Sequence, residues 1–155
     1  FTETSTPVID NSVEAFEKFV LNKCRNAVSG AEQEVHKTMR SNVSKFYGEY
    51  EPTEYIRTNS FSESLQRTGV IPIGNGFEAE VYFDEVSYPS MAVGKSGRSH
   101  SKNKSDGEIL ANNLTGSMPH GWFASGTAVW TDSMSKIGNI DMLLLKELKE
   151  QGIPI

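Results

Sequence analysis

The chain has 155 residues, of which 37% are hydrophobic and 23% charged, with 13 Gly and 6 Pro. That composition predicts one soluble domain over 1–155 and excludes two full-sized domains, wholesale disorder, a collagen-like repeat and a disulfide scaffold. With 15 Lys and Arg against 20 Asp and Glu, the net charge is −5. Bulk electrostatics therefore draw it neither to nucleic acid nor to an anionic membrane, and specific partners of either kind are not expected. No stretch approaches the roughly 18–20 apolar residues of a membrane span. The chain opens on Phe1 rather than Met, so a trimmed or processed start is expected.

The first predicted element is one long helix over 11–46. Val13, Phe16, Val20, Cys24, Ala27, Val28, Ala31, Val35 and Met39 recur at steps of three and four, which sets them on one stripe. Asp10, Asn11 and Ser12 offer an N-cap, and Glu14 and Glu17 place negative charge at the positive end of the dipole. Gly30 is the weak link, at about 1 kcal/mol against Ala in a helix interior. So long a helix must be a spine for the rest or be covered in part by another subunit. Residues 47–60 follow as a connecting loop, with Pro52 favouring extended neighbours and Tyr47, Tyr50 and Tyr55 lying on a surface.

A β-hairpin is predicted over 61–84. Phe77, Ala79, Val81 and Phe83 alternate with Glu78, Glu80, Tyr82 and Asp84, giving one apolar and one acidic face. Gly74, Asn75 and Gly76 supply a tight turn, and Leu65–Ile73 is the partner strand, with Pro72 marking an edge. Phe77, Val81 and Phe83 are expected in the core.

Residues 88–107 are poor in hydrophobes and predict a flexible basic loop in which Lys95, Arg98, Lys102 and Lys104 have no acid between them. A short helix over 108–114, a short strand at Ala128–Trp130 and a C-terminal helix over 139–151 complete the order. Ile140, Leu144 and Leu148 form the stripe of that last helix, and Gly152 and Pro154 stop it. The fold class is α+β: a long N-terminal helix packed on a small antiparallel sheet, with a short helix and a C-terminal helix.

Chemistry-bearing motifs are sparse. Gly94-Lys95-Ser96 has the tail of a phosphate-binding loop, but Pro89 stands where that motif needs its first Gly. His36, His100 and His120 show no metal-binding spacing, and His36 reads as an exposed or interface residue. His120, oriented by Asp132, would be the base of a small hydrolase or nuclease; the alternative is a loop histidine that only hydrogen-bonds its turn. Cys24 lies on an apolar stripe, the reverse of a nucleophile's setting. The Asn-x-Ser/Thr triplets at Asn42, Asn103 and Asn113 are not read as glycosylation sites. No metal, cofactor or catalytic residue is expected.

Three stretches together resemble the minor virion proteins of tailed bacteriophages, in the siphophage tail-component or head–tail completion family. They are Tyr50-x-Pro52-x-x-Tyr55-x-Arg57-Thr58 with Ser64-Leu65; the alternating strand after the Gly-Asn-Gly turn; and His120-Gly121, Thr127-x-x-Trp130 and the end Leu148-x-x-Gln151-Gly152-Ile153-Pro154. The resemblance implies a virion protein without enzymatic activity, a homo-oligomeric ring at the head–tail junction or in the tail beside other phage proteins. Within such a ring the basic loop of one copy would meet the acidic strand face of the next. Lys95, Arg98, Lys102 and Lys104 would then pair with Glu78, Glu80, Asp84 and Glu85. A host-interaction module that works by binding is the further alternative.

Overall fold

The computed structural model describes residues 8–49, 59–84, 110–111, 114–115 and 128–155. Its first element, α1, is a helix over Val8–Gly48, 41 residues and about 60 Å long. It outruns the predicted 11–46 at both ends. Asp10, Asn11 and Ser12 lie inside it rather than capping it, because extending a formed helix through such residues costs little once the first turn exists. At the other end Tyr47 belongs to the helix, not to a loop, and its ring meets Phe46 edge-on with centroids 5.8 Å apart.

A single turn of helix, α2 (Ser60–Glu63), follows Asn59, whose φ of 61° is in the left-handed region that asparagine tolerates. The hairpin therefore starts at Leu65 rather than 61. It consists of four short strands: β1 (Leu65–Arg67), β2 (Ile71–Ile73), β3 (Gly76–Glu78) and β4 (Val81–Phe83). β1 pairs antiparallel with β4, Leu65 opposite Phe83 and Arg67 opposite Val81. β2 pairs antiparallel with β3, Ile71 opposite Glu78 and Ile73 opposite Gly76. The two registers differ by one residue. Gly69 and Val70 thus share the place opposite Ala79, which is a β-bulge with glycine at φ 70°. The Thr68 amide still reaches the Glu80 carbonyl at 3.1 Å, and the Glu80 amide donates to Thr68 Oγ1 at 2.9 Å. Gly74 alone of the turn pair Gly74-Asn75 has positive φ, as a II′ turn requires.

The bulge changes which side chains face α1. Along β3 and β4 the predicted alternation holds, with Phe77, Ala79, Val81 and Phe83 half-buried and Glu78, Glu80 and Tyr82 exposed. The first arm loses phase at Gly69, so Ile71 and Ile73 are exposed while Val70 turns partly inward. Of the three residues expected in the core, Phe83 packs against its rim, whereas Phe77 and Val81 are half-buried away from its centre.

Two helices end the chain, α3 (Val129–Ile137) and α4 (Ile140–Glu150). The strand predicted at Ala128–Trp130 is the start of α3. Two β-favouring residues, Val129 and Trp130, carry little weight against Val129 and Ser133, one turn apart and both fully buried. Asn139 caps α4, its Oδ1 accepting from the amides of Asp141 and Met142 at 2.7 and 3.3 Å. At the other end Gly152, at φ 81°, lets Ile153 donate to the Leu148 carbonyl at 3.0 Å and Gly152 to that of Lys149 at 2.8 Å. That is a Schellman stop. The buried side of α4 runs through Leu143, Leu144, Glu147 and Leu148, whereas Ile140 is exposed. Leu110, Ala111, Leu114 and Thr115 are helical, in line with the short helix expected there.

Among the described elements α2, β1, β3, β4, α3 and α4 all pack on α1. The centre of the core is Val43 and Phe46 of α1 with Phe61, Leu110 and Val129, and Tyr47, Phe83 and Leu114 lie against it. Phe61 stacks on Phe83 at 5.3 Å between centroids and meets Phe46 edge-on at 5.1 Å. Ser133 of α3 accepts a 2.9 Å hydrogen bond from the buried Asn42 amide, which also removes Asn42 from reach of glycosylation. The C-terminal pair runs back along α1, from Ser133 at Asn42 to Glu147 at Gly30 and Gln151 at Asn26.

Phe61→Ala is expected to cost about 3–5 kcal/mol, and Phe83→Ala, at the rim, less. Urea denaturation of both variants measures the order; a larger loss at Phe83 would move the core's centre. Gly30 has its own test, because a Cβ there would collide with the Glu147 carboxylate. Gly30→Ala should gain about 1 kcal/mol of helix propensity in a Glu147→Ala background and less in the parent. Strict additivity in that double-mutant cycle would mean that α4 does not approach α1 at this point.

Candidate functional site

A polar cleft of about 530 Å³ opens between the middle of α1 and the bulge of the hairpin. On the helix side Arg25, Asn26, Ser29 and Gln33, spaced by one, three and four residues, share one face. On the other side are Arg67, Thr68 and Gly69. Arg67 stands two residues beyond the buried Leu65 on β1, hence on the strand face turned toward α1. Arg67 therefore lines the cleft rather than the acidic face, although it stays exposed.

Glu32 is the floor of the site. It is only 6% exposed, and its Oε1 accepts the Gly69 amide at 2.7 Å. A bulge leaves one strand amide without its ladder partner, and the helix supplies the missing acceptor across the gap. The second carboxylate oxygen, Oε2, has no hydrogen-bond partner among the described residues. Arg25 and Arg67 likewise make no ion pair or hydrogen bond there. The cleft is therefore lined by one buried acid and by two arginines that have no partner among the described residues.

His36, one helical turn beyond Glu32, is half-buried rather than exposed. Burial pulls its pKa below the ordinary histidine value, the positive charges of Arg67 and Arg40 lower it further, and Glu32 opposes them. These three are the charged groups that face it, Arg67 from β1 and the others from α1.

A second surface lies nearer the start of α1. Val13, Phe16 and Phe19 are 51%, 66% and 56% exposed, and they fall within about 120° of the helix surface. Val20 completes the patch, half-buried, and Lys23 sets its ammonium 5.4 Å from the centre of the Phe19 ring. The stripe predicted from Val13 to Met39 is thus exposed at Val13 and Phe16, half-buried at Val20 and Cys24, and fully buried first at Ala27.

Of the residues predicted to join subunits, Glu78 and Glu80 are exposed on one strand face, while Asp84 is half-buried. Lys95, Arg98, Lys102, Lys104 and Glu85 lie outside the described residues, as do His100 and His120. Asp132 is half-buried on α3, and Cys24 is a half-buried free thiol. Among the described residues no group of three or more His, Cys, Asp and Glu could hold a metal ion, and no helix is long and apolar enough to cross a membrane. The sequence reading passed over Glu32, Arg25 and Arg67. Its one available signal was the lost alternation around Thr68-Gly69, which marks a bulge whose free amide needs an acceptor.

No protein family, curated protein or solved structure matches this chain.

The lowered pKa of His36 makes stability depend on pH in a fixed direction. Below about pH 6.5, the ordinary histidine value, the unfolded chain takes up a proton that the folded His36 resists. The contribution of His36 is complete above that pH and is lost as pH falls toward the folded-state pKa. His36→Gln should therefore flatten the fall in urea midpoint between about pH 7.5 and pH 5.5. An identical fall in the variant would remove His36 as its source.

Proposed function

We propose that this chain is a non-enzymatic structural subunit of a tailed-phage virion. It assembles with copies of itself into a ring at the head–tail junction or in the tail, beside other head–tail or tail proteins. One observation carries the assembly reading: α1 is far longer than the elements that cover it, and it leaves Val13, Phe16 and Phe19 bare. Contiguous exposed aromatic and aliphatic side chains on one helix face mark an interaction surface. Glu17 and Lys23 border that patch with opposite charge, so a second copy can meet it with complementary sign. The virion setting rests on the resemblance of the segments at Tyr50–Thr58, Phe77–Asp84 and His120–Pro154 to minor virion proteins. The exposed Glu78 and Glu80 remain the acceptors proposed for Lys102 and Lys104 of a neighbour.

Light scattering coupled to size-exclusion chromatography tests this reading. The parent is expected to elute as a concentration-dependent oligomer, and Phe16→Asp with Phe19→Asp as a monomer of 17.1 kDa with unchanged helix content by circular dichroism. A parent that stays monomeric at every concentration, or a double variant that assembles like it, would overturn the proposal.

A further inference from the structure

The cleft between α1 and the bulge has an uneven distribution of charge that the fold alone does not require. To hold Gly69 in place one acceptor oxygen is enough, and a neutral Gln at position 32 would supply it. The chain instead buries an acid at this position, Glu32 being 6% exposed, and its Oε2 has no hydrogen-bond partner among the described residues. A buried carboxylate oxygen is costly unless something pairs with it. The two groups able to neutralise it, Arg25 and Arg67, line the same cleft but make no ion pair with it.

A purely anionic ligand would meet the arginines but face the Glu32 charge; a purely cationic one would meet Glu32 but face both arginines. A ligand with both signs close together satisfies all three. We infer that the cleft binds a small zwitterion of the α-amino acid class, its ammonium on Glu32 Oε2 and its carboxylate on the guanidinium groups of Arg25 and Arg67. The walls also present Asn26, Ser29 and Gln33, of which Gln33 already donates to Ser29 Oγ at 3.1 Å. These amides and hydroxyls suit a polar side chain on the ligand better than an aliphatic one. The volume, about 530 Å³, leaves room for a ligand of that size. This site does not depend on the assembly reading, because none of its residues belongs to the bare apolar patch of α1.

The test is an NMR titration of the full chain with L-glutamine, following the Gly69 amide, whose hydrogen bond to Glu32 makes it the reporter of the site. Acetate and methylammonium, one charge each, are the controls. A saturable shift is expected with L-glutamine below about 10 mM, with each control at least roughly tenfold weaker, since each loses a charge-assisted hydrogen bond. Glu32→Gln keeps an acceptor for Gly69 and should retain the fold while weakening L-glutamine roughly tenfold or more; Arg67→Met should do the same from the opposite wall. Absence of a saturable shift, or acetate binding as tightly as L-glutamine, overturns the inference, as does unchanged affinity in both variants. Self-association of the chain neither supports nor removes it.

Discussion

The hydrogen bond from the Gly69 amide to Glu32 decides how the hairpin sits on the rest of the molecule. A regular two-stranded ribbon from Leu65 to Phe83 would place Ile71 and Ile73 on the same side as Leu65. The extra residue at the bulge shifts the first arm by one position, so those two isoleucines turn outward and Val70 turns in. Such a shift leaves an amide outside the ladder, and a buried amide without an acceptor costs about 1–3 kcal/mol. Glu32 removes that cost and ties the middle of the hairpin to the middle of α1 in one contact. Arg67 is then carried to the helix side, next to His36, and the cleft forms around the same contact.

α1 receives its other partners on a different side. Glu32 and Gly30 are separated by about 200° around the helix, given 3.6 residues per turn. The hairpin lies on the first of these faces and α4 on the second, where the missing side chain of Gly30 admits Glu147. A glycine in mid-helix lowers helix propensity, and here the loss has a structural return in the close passage of α4. Toward Phe46 both sets of elements converge with Phe61, Leu110 and Val129 to close the core. Toward Val13 neither continues, which is why the same periodic stripe is core at one end and surface at the other.

The sequence made legible those features whose cause is local. The alternation from Phe77 to Phe83 is one, the Gly74 turn is another, and the Asn139 cap and Gly152 stop follow from the same kind of short-range chemistry. The length of α1 was legible too, from an apolar stripe sustained across about seven turns. What escaped depends on contacts between distant residues. Val129 was read as strand because its burial against α1 is not visible in Ala128–Trp130 alone. Glu32 was invisible as a site because its partner lies 37 positions away and is a backbone amide with no side-chain signature.

Apolar burial alone would leave the register of these elements on α1 loosely specified, because it is non-directional. The hairpin and the two C-terminal helices each also bring a polar contact to a particular residue of α1. Gly69 meets Glu32, Ser133 meets Asn42, and Gln151 meets Asn26 at 3.5 Å. Two of these are buried or partly so, where a mismatched slide of one residue would strand a donor or an acceptor. The polar contacts thus select one arrangement among several that would bury comparable apolar area. The exposed segment from Val13 to Phe19 carries no such pin among the described residues. Its apolar side chains can meet a neighbour without competing with any register already set, whereas the arginines and Glu32 of the cleft stand where the register is fixed. Adaptable association belongs at the free end of α1, and recognition of a small ligand by placed charges belongs at its pinned middle.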